Sequence, residues 1–161
     1  CQLLGKARIA KYEGSLEAIA ELIRQYCTNP KIQLMRFFHR VLFGWLSGNG
    51  GLHLKKWALL QNGNLIELSP AYGMMNHAIT RKDASESALS LAGRRAGWDR
   101  DSLLEYLGKE VCGLNLRMID RVLHQVEAVP WEPRILGSGL SKASQQAYFE
   151  LLSERWRRLQ D

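Results

Sequence analysis

The sequence has 161 residues, 46% of them apolar, which is enough for one compact domain with a substantial core. The net charge is +6, but residues 1–80 hold 9 Lys/Arg against 4 Asp/Glu and residues 81–161 hold 13 against 12, so no dense basic stripe marks a nucleic-acid surface. No run of about 18 apolar residues exists, which argues against a helical membrane span, and residues 1–10 lack the apolar core of a signal peptide. The chain does not begin with Met, so the expectation is either a fragment or an engineered form. Cys1, Cys27 and Cys112 are odd in number and widely spaced, as in a reducing cytoplasm, and suit neither a disulfide framework nor a zinc site.

Residues 15–26 predict a helix with Leu16, Ile19, Leu22, Ile23 and Tyr26 on one face. Asn29 is the expected cap of the next helix, with Pro30 in its first turn, where the missing N–H costs nothing. That helix should run to about Ser47 and bury Leu34, Phe37, Phe38, Val41, Leu42, Trp45 and Leu46. The glycine-rich residues 47–51 stop it. From Lys56 the apolar period changes to that of a β-hairpin, with Asn62-Gly63 as a turn of positive φ and Pro70 closing the second strand. Residues 76–97 are polar and weakly periodic, with a loop expected around 80–87.

Further on, Asp99 or Asp101 should cap a helix ending near Gly108. Asn115 should cap residues 116–128, with Ile119, Val122, Leu123 and Val126 inward and Pro130 beyond. Ser141 should cap a last helix carried by Ala147, Tyr148, Leu151, Leu152, Trp156 and Leu159. No repeat, low-complexity tract or long linker divides the chain. The expected fold is a single mainly α domain over residues 1–161 with one short β-hairpin.

Several residues invite chemical readings that plainer ones outweigh. His39, His77 and His124 have no metal-ligand spacing. Trp45 and Trp57 read as core, and Met74 and Met75 as gap-filling. Arg155, Arg157 and Arg158 around Trp156 read as a solvated last helical turn complementing the helix dipole. His53 is expected to pack in support of its loop, and Lys55 and Lys56 to lie exposed where a strand begins.

Two segments carry the sharpest signal. They are Phe43-Gly44-Trp45-Leu46-Ser47-Gly48-Asn49-Gly50-Gly51-Leu52-His53-Leu54-Lys55-Lys56 and, past the hairpin, Leu68-Ser69-Pro70-Ala71-Tyr72-Gly73. In spacing and flanks the chain resembles the HipA family of bacterial toxin–antitoxin kinases, whose pattern is roughly F-x-W-L-x-G-N-x-D-x-H-x-K-N, a hairpin, then L-S/A-P-A/L-Y-D. Lys11-Tyr12-Glu13-Gly14-Ser15 also looks like that family's approach to its helical lobe. The resemblance implies the C-lobe of a protein-kinase-like fold, with the N-lobe, which holds the phosphate-covering loop and the ATP-pairing Lys, absent from this chain.

The resemblance retains Asn49, His53, Lys55, Ser69, Pro70 and Tyr72. It places the family's catalytic Asp at Gly51, its metal-binding Asn at Lys56 and its second metal-binding Asp at Gly73, and it sets Gly44 in place of a larger polar residue. Glycine supplies neither base nor ligand, and a lysine ammonium repels Mg²⁺. Loss of a general base alone slows catalysis by about 10²–10⁴-fold. The chain is therefore expected to be an inactive pseudokinase that needs no cofactor, although the family uses ATP and Mg²⁺. Its expected partner is a protein in the cytoplasm: an antitoxin, a separate N-lobe or a kinase substrate. A second reading is a fragment or eroded member of an active kinase toxin. A third has Lys56 replace the metal's charge and bind phosphate without metal.

Overall fold

The computed structural model describes residues 1–80 and 85–161. Helix α1 (Leu16–Tyr26) begins where Ser15 accepts a hydrogen bond from the Ala18 N–H at 3.2 Å. It buries Leu16, Ile19, Ala20 and Ile23. Leu22 and Tyr26, expected on the same face, are only half-buried and exposed respectively. They line a groove between α1 and the hairpin and do not face the next helix.

Helix α2 (Pro30–Leu46) is the central rod, and all seven predicted core positions are buried along it. Each such side chain contributes about 1.5–3 kcal/mol of hydrophobic stabilisation. Asn29 stands at its start, but its side chain makes no cap bond, and its carbonyl receives the Gln33 N–H at 3.3 Å. The α2 rod packs on α1, the hairpin, the π-helix described below and two later helices.

The hairpin pairs β1 (Leu59–Asn62) with β2 (Leu65–Leu68) in antiparallel register, Leu59 opposite Leu68 and Asn62 opposite Leu65. Its turn residues are therefore Gly63 and Asn64, one position later than expected, because Asn62 remains in the ladder. Gly63 takes φ +57°, as the first position of a type II′ turn requires. Gln33, 1% exposed, anchors the hairpin to α2 by accepting from the Leu68 N–H at 3.2 Å and donating to Glu67 at 3.1 Å. Thr28 ties down the outer edge of β2 through Ile66, with bonds of 3.0 and 2.9 Å.

Residues 85–98 form no regular element, and residues 81–84 of the predicted loop lie outside the described residues. A π-helix, Asp101–Val111, follows, with Asp99 as its cap: the Asp99 carboxylate accepts from the Ser102 N–H at 2.9 Å and its hydroxyl at 2.6 Å. Gly108 does not end it. A Cβ there would meet Ile119 at 3.0 Å and Phe38 at 3.3 Å, so the glycine is a close-packing contact. Helix α3 (Leu116–Glu127) is capped by Asn115 as expected, with the Met118 N–H donating at 3.0 Å. A short helix α4 (Trp131–Leu136), not anticipated from the sequence, follows Pro130 and stacks Trp131 on Phe43 at 5.3 Å.

Helix α5 (Lys142–Gln160) is capped by Ser141 as expected. Its inward face differs from the prediction: Ala147 is exposed, and Arg155, read as solvated, is 3% exposed. No helix among the described residues is long and apolar enough to cross a membrane. Burial raises the Cys27 thiol and pushes that of Cys112 up to about 12, while Cys1 remains partly exposed.

Candidate functional site

The candidate site lies where α2 runs out. Gly48, at φ +78°, turns the chain away from the helix, and its carbonyl accepts from the N–H groups of His77 at 2.9 Å and Ala78 at 3.2 Å. One oxygen thus joins the loop after α2 to the loop after the hairpin. Asn49, 4% exposed, adds a second tie, accepting from the Gly51 N–H at 3.2 Å and donating to the Met74 sulfur at 3.2 Å. Further along, the Tyr72 hydroxyl donates to the Lys55 carbonyl at 2.5 Å. Ser69 is buried; its N–H donates to the Ala58 carbonyl at 2.8 Å and its own carbonyl accepts from Arg40. Pro70 sits between them at the exposed end of the strand. The two predicted loops are therefore brought together and hydrogen-bonded.

At the three positions read as chemically emptied, other side chains occupy the space. A Cβ on Gly51 would strike the His77 ring, whose Nε2 would lie 2.8 Å away. A Cβ on Gly73 would strike the Lys56 ammonium, with Lys56 Cε at 3.2 Å. Lys56 is not the exposed strand lysine expected: it is half-buried, ends a 3-10 turn (Leu54–Lys56) and folds back so that Nζ lies 5.2 Å from the centre of the Tyr72 ring. Lys55 is exposed. Gly44 has a packing reason to be glycine, since a Cβ would approach Leu52 at 2.7 Å. Gly50 has a stronger one, with the Ser85 carbonyl 2.5 Å from that point.

His53 stacks edge-on against Tyr12 at 5.4 Å, and its Nδ1 is buried without a hydrogen-bond partner among the described residues. Of the packing and hydrogen bonding expected of it, the ring contact is present, while Nδ1 makes no hydrogen bond among the described residues. Burial, then the charges of Lys11, Lys56 and Lys55, hold its imidazole below the ordinary histidine range. Lys11 belongs to this group because the Leu54 N–H donates to its carbonyl at 3.0 Å. His77 turns Nδ1 to the Met75 carbonyl at 2.9 Å. Among the described residues, no cluster of three or more His, Cys, Asp or Glu side chains could hold a metal ion.

Beneath the loops lies a network that sequence reasoning missed. Trp45 is flanked by the guanidinium groups of Arg155 at 5.4 Å and Arg158 at 5.2 Å, and Arg155 donates to the Trp45 carbonyl. Glu86 accepts from Arg158 at 2.6 Å, from the Trp45 indole at 3.2 Å and from the Gly97 N–H at 3.0 Å. Burial opposes its ionisation, but these hydrogen bonds and the arginine charges outweigh that and hold the carboxyl below its usual range. Arg155 and Arg158 therefore serve the frame and are not a solvated helix end; Arg157 alone of the three is exposed. The spacing 148, 152, 155, 159 placed Arg155 in an apolar stripe and was the available signal.

The family model of the HipA-like C-terminal domain matches residues 1–131. The chain belongs to this family. A solved structure, the Shewanella oneidensis MR-1 toxin–antitoxin complex of HipA, HipB and operator DNA, contains a chain similar to this one at 19% identity and a TM-score of 0.71. The alignment covers 98% of this chain and 39% of that chain. The likeness shows the fold, which is the C-lobe of a HipA-like, kinase-like architecture with a two-stranded hairpin. No curated protein matches the sequence. In this HipA-like domain the loops at 48–56 and 69–78 lie side by side, tied together through Gly48, Asn49 and Tyr72.

Proposed function

We propose that this HipA-like C-terminal domain is non-catalytic and acts by holding a protein partner in the cytoplasm of a bacterium, within a toxin–antitoxin system. The observation that carries the reading is the fate of positions 51 and 73. Both are glycine, and the space where a carboxylate would start is taken by His77 and by the Lys56 ammonium. Mg²⁺ is a hard cation that seeks oxygen ligands in octahedral array. Two glycines and a lysine present none through their side chains, so these residues do not fit the family's metal.

The partner reading is supported by an apolar groove of about 390 Å³ between α1, the first residues and the hairpin. Leu3, Tyr26 and Leu60 stand exposed around it, a grouping that suits a protein surface better than water. An antitoxin, a separate N-lobe or a kinase substrate would each supply such a surface; the lobe that covers nucleotide phosphates is not among residues 1–161.

The test is transfer of labelled γ-phosphate from Mg²⁺-ATP by the purified chain. No transfer above a no-protein control is expected, and any protein phosphorylation would overturn the reading. A second reading, an eroded form of an active kinase toxin, is favoured by the hydrogen bonds that Asn49 and Tyr72 still make across the loops. On that reading, Gly51→Asp, Lys56→Asn and Gly73→Asp combined, with His77→Ala to clear position 51 and the chain fused to an N-lobe, should create Mg²⁺-dependent ATP binding in calorimetry.

A further inference from the structure

We propose that Lys56 and the backbone of residues 72–74 form a metal-independent binding site for a phosphate-class anion. The inference deepens the non-catalytic reading and rests on it, because the ammonium stands where a metal-holding carboxylate would begin.

The geometry has three parts. The Lys56 Nζ lies against Gly73, where the absent Cβ leaves the backbone open to close approach. It donates to no acceptor and meets no carboxylate among the described residues; the Tyr72 ring, 5.2 Å away, is its neighbour. The backbone N–H groups of residues 71–76 also donate to no acceptor among the described residues, and residues 71–73 are exposed. Gly73 holds φ +63°, in the left-handed region that forms one half of the αR-αL pair of an anion-binding nest.

A cation beside a run of free backbone donors is the chemistry that takes up a phosphate oxygen. The surroundings add charge of the same sign. Lys11 and Lys55 lie close enough to His53 to lower its proton affinity together with Lys56. Lys6, by contrast, has Glu13 at 3.9 Å, and Arg36 has Glu67 at 3.3 Å. A bound dianion would relieve the repulsion among the lysines, and added Mg²⁺ would compete with them for it. The phosphate could be free or the terminal group of a nucleotide, and both present the same oxygens.

Titration calorimetry in EDTA, with tripolyphosphate in one arm and ATP in the other, tests the site. Saturable binding to the unaltered chain is expected without Mg²⁺. It should be at least about tenfold weaker in Lys56→Gln, as loss of one charge-assisted contact implies, and unchanged in Lys142→Gln at the exposed start of α5. Equal affinity for the two ligands supports recognition of phosphate alone; tighter ATP supports a nucleotide source. If Lys56→Gln fails to fold, amide NMR of the unaltered chain decides, with shifts expected at Tyr72, Gly73 and Met74 when tripolyphosphate is added. No saturable binding at millimolar ligand, equal binding by Lys56→Gln, a requirement for Mg²⁺, or unmoved amides at 72–74 would each overturn the site. None of these results touches the non-catalytic reading, which phosphoryl transfer alone defeats.

Discussion

Two groups of cations flank the end of α2, and they are treated in opposite ways. On one side Arg155 and Arg158 enclose Trp45, and their charge is answered by Glu86 and by the carbonyls of Trp45 and Trp98. On the other, Lys11, Lys55 and Lys56 surround His53 with no carboxylate in ion-pair range among the described residues. The paired group is half-buried or deeper and joins three distant parts of the chain; in the unpaired group Lys55 is exposed and Lys11 and Lys56 are half-buried. Charge that holds the frame must be satisfied from within, because an uncompensated buried ion is expensive. Charge that reaches solvent is hydrated and remains available to an outside ligand.

The comparison breaks most visibly if the paired side is cut. Glu86→Ala takes from Arg158 its buried carboxylate, leaving it Glu154 at 3.0 Å and the Trp98 carbonyl, and leaves the indole N–H of Trp45 without an acceptor; the Arg158 and Glu86 side chains are 18% and 20% exposed. A loss of about 3 kcal/mol is expected in urea unfolding, the lower end of the range for breaking a buried pair. Gly50→Ala should follow at about 2 kcal/mol, since the obstacle is the Ser85 carbonyl, which is backbone and yields little. Gly44→Ala meets only the tip of Leu52 and should be milder by the same measurement.

Acid separates the two sides by a different route. The Glu86 carboxyl titrates below its usual value, so its contribution is fully present above the unfolded-state pKa of about 4.3 and is lost as pH falls through the lower folded value. His53 is likewise held below its unfolded-state value of about 6.5, so its smaller contribution declines first, as pH drops from neutrality. Unfolding midpoints measured from pH 7 to 3 should therefore fall in two stages, with His53→Gln removing the first and Glu86→Gln the second. The smallest effect belongs to the open side. Lys56→Gln should change stability by less than about 0.5 kcal/mol, because it removes no buried pair.

Much of this architecture was legible in the sequence because it follows from local rules. Ser15, Asn115 and Ser141 cap their helices through side-chain oxygens, and the 3–4 residue stripe of α2 is buried throughout. The hairpin was legible too, although its turn slid by one residue because pairing continued through Asn62. Non-local compensation was what pattern could not supply. Arg155 looked solvated because nothing in its helix reveals that the Trp45 carbonyl waits 110 positions away. Likewise, the sequence showed that positions 51 and 73 are glycine, but not that His77 and Lys56 fill the space beside them.

The cysteines give the groove between α1 and the hairpin a built-in probe. Cys27 and Cys112 are sequestered and hard to ionise, whereas Cys1 is partly open to solvent and contributes to the groove wall. A maleimide fluorophore at neutral pH should therefore attach at Cys1 alone, because the thiolate is the reactive form. Its emission would then report when a binding protein settles over that wall, with no residue of the chain replaced.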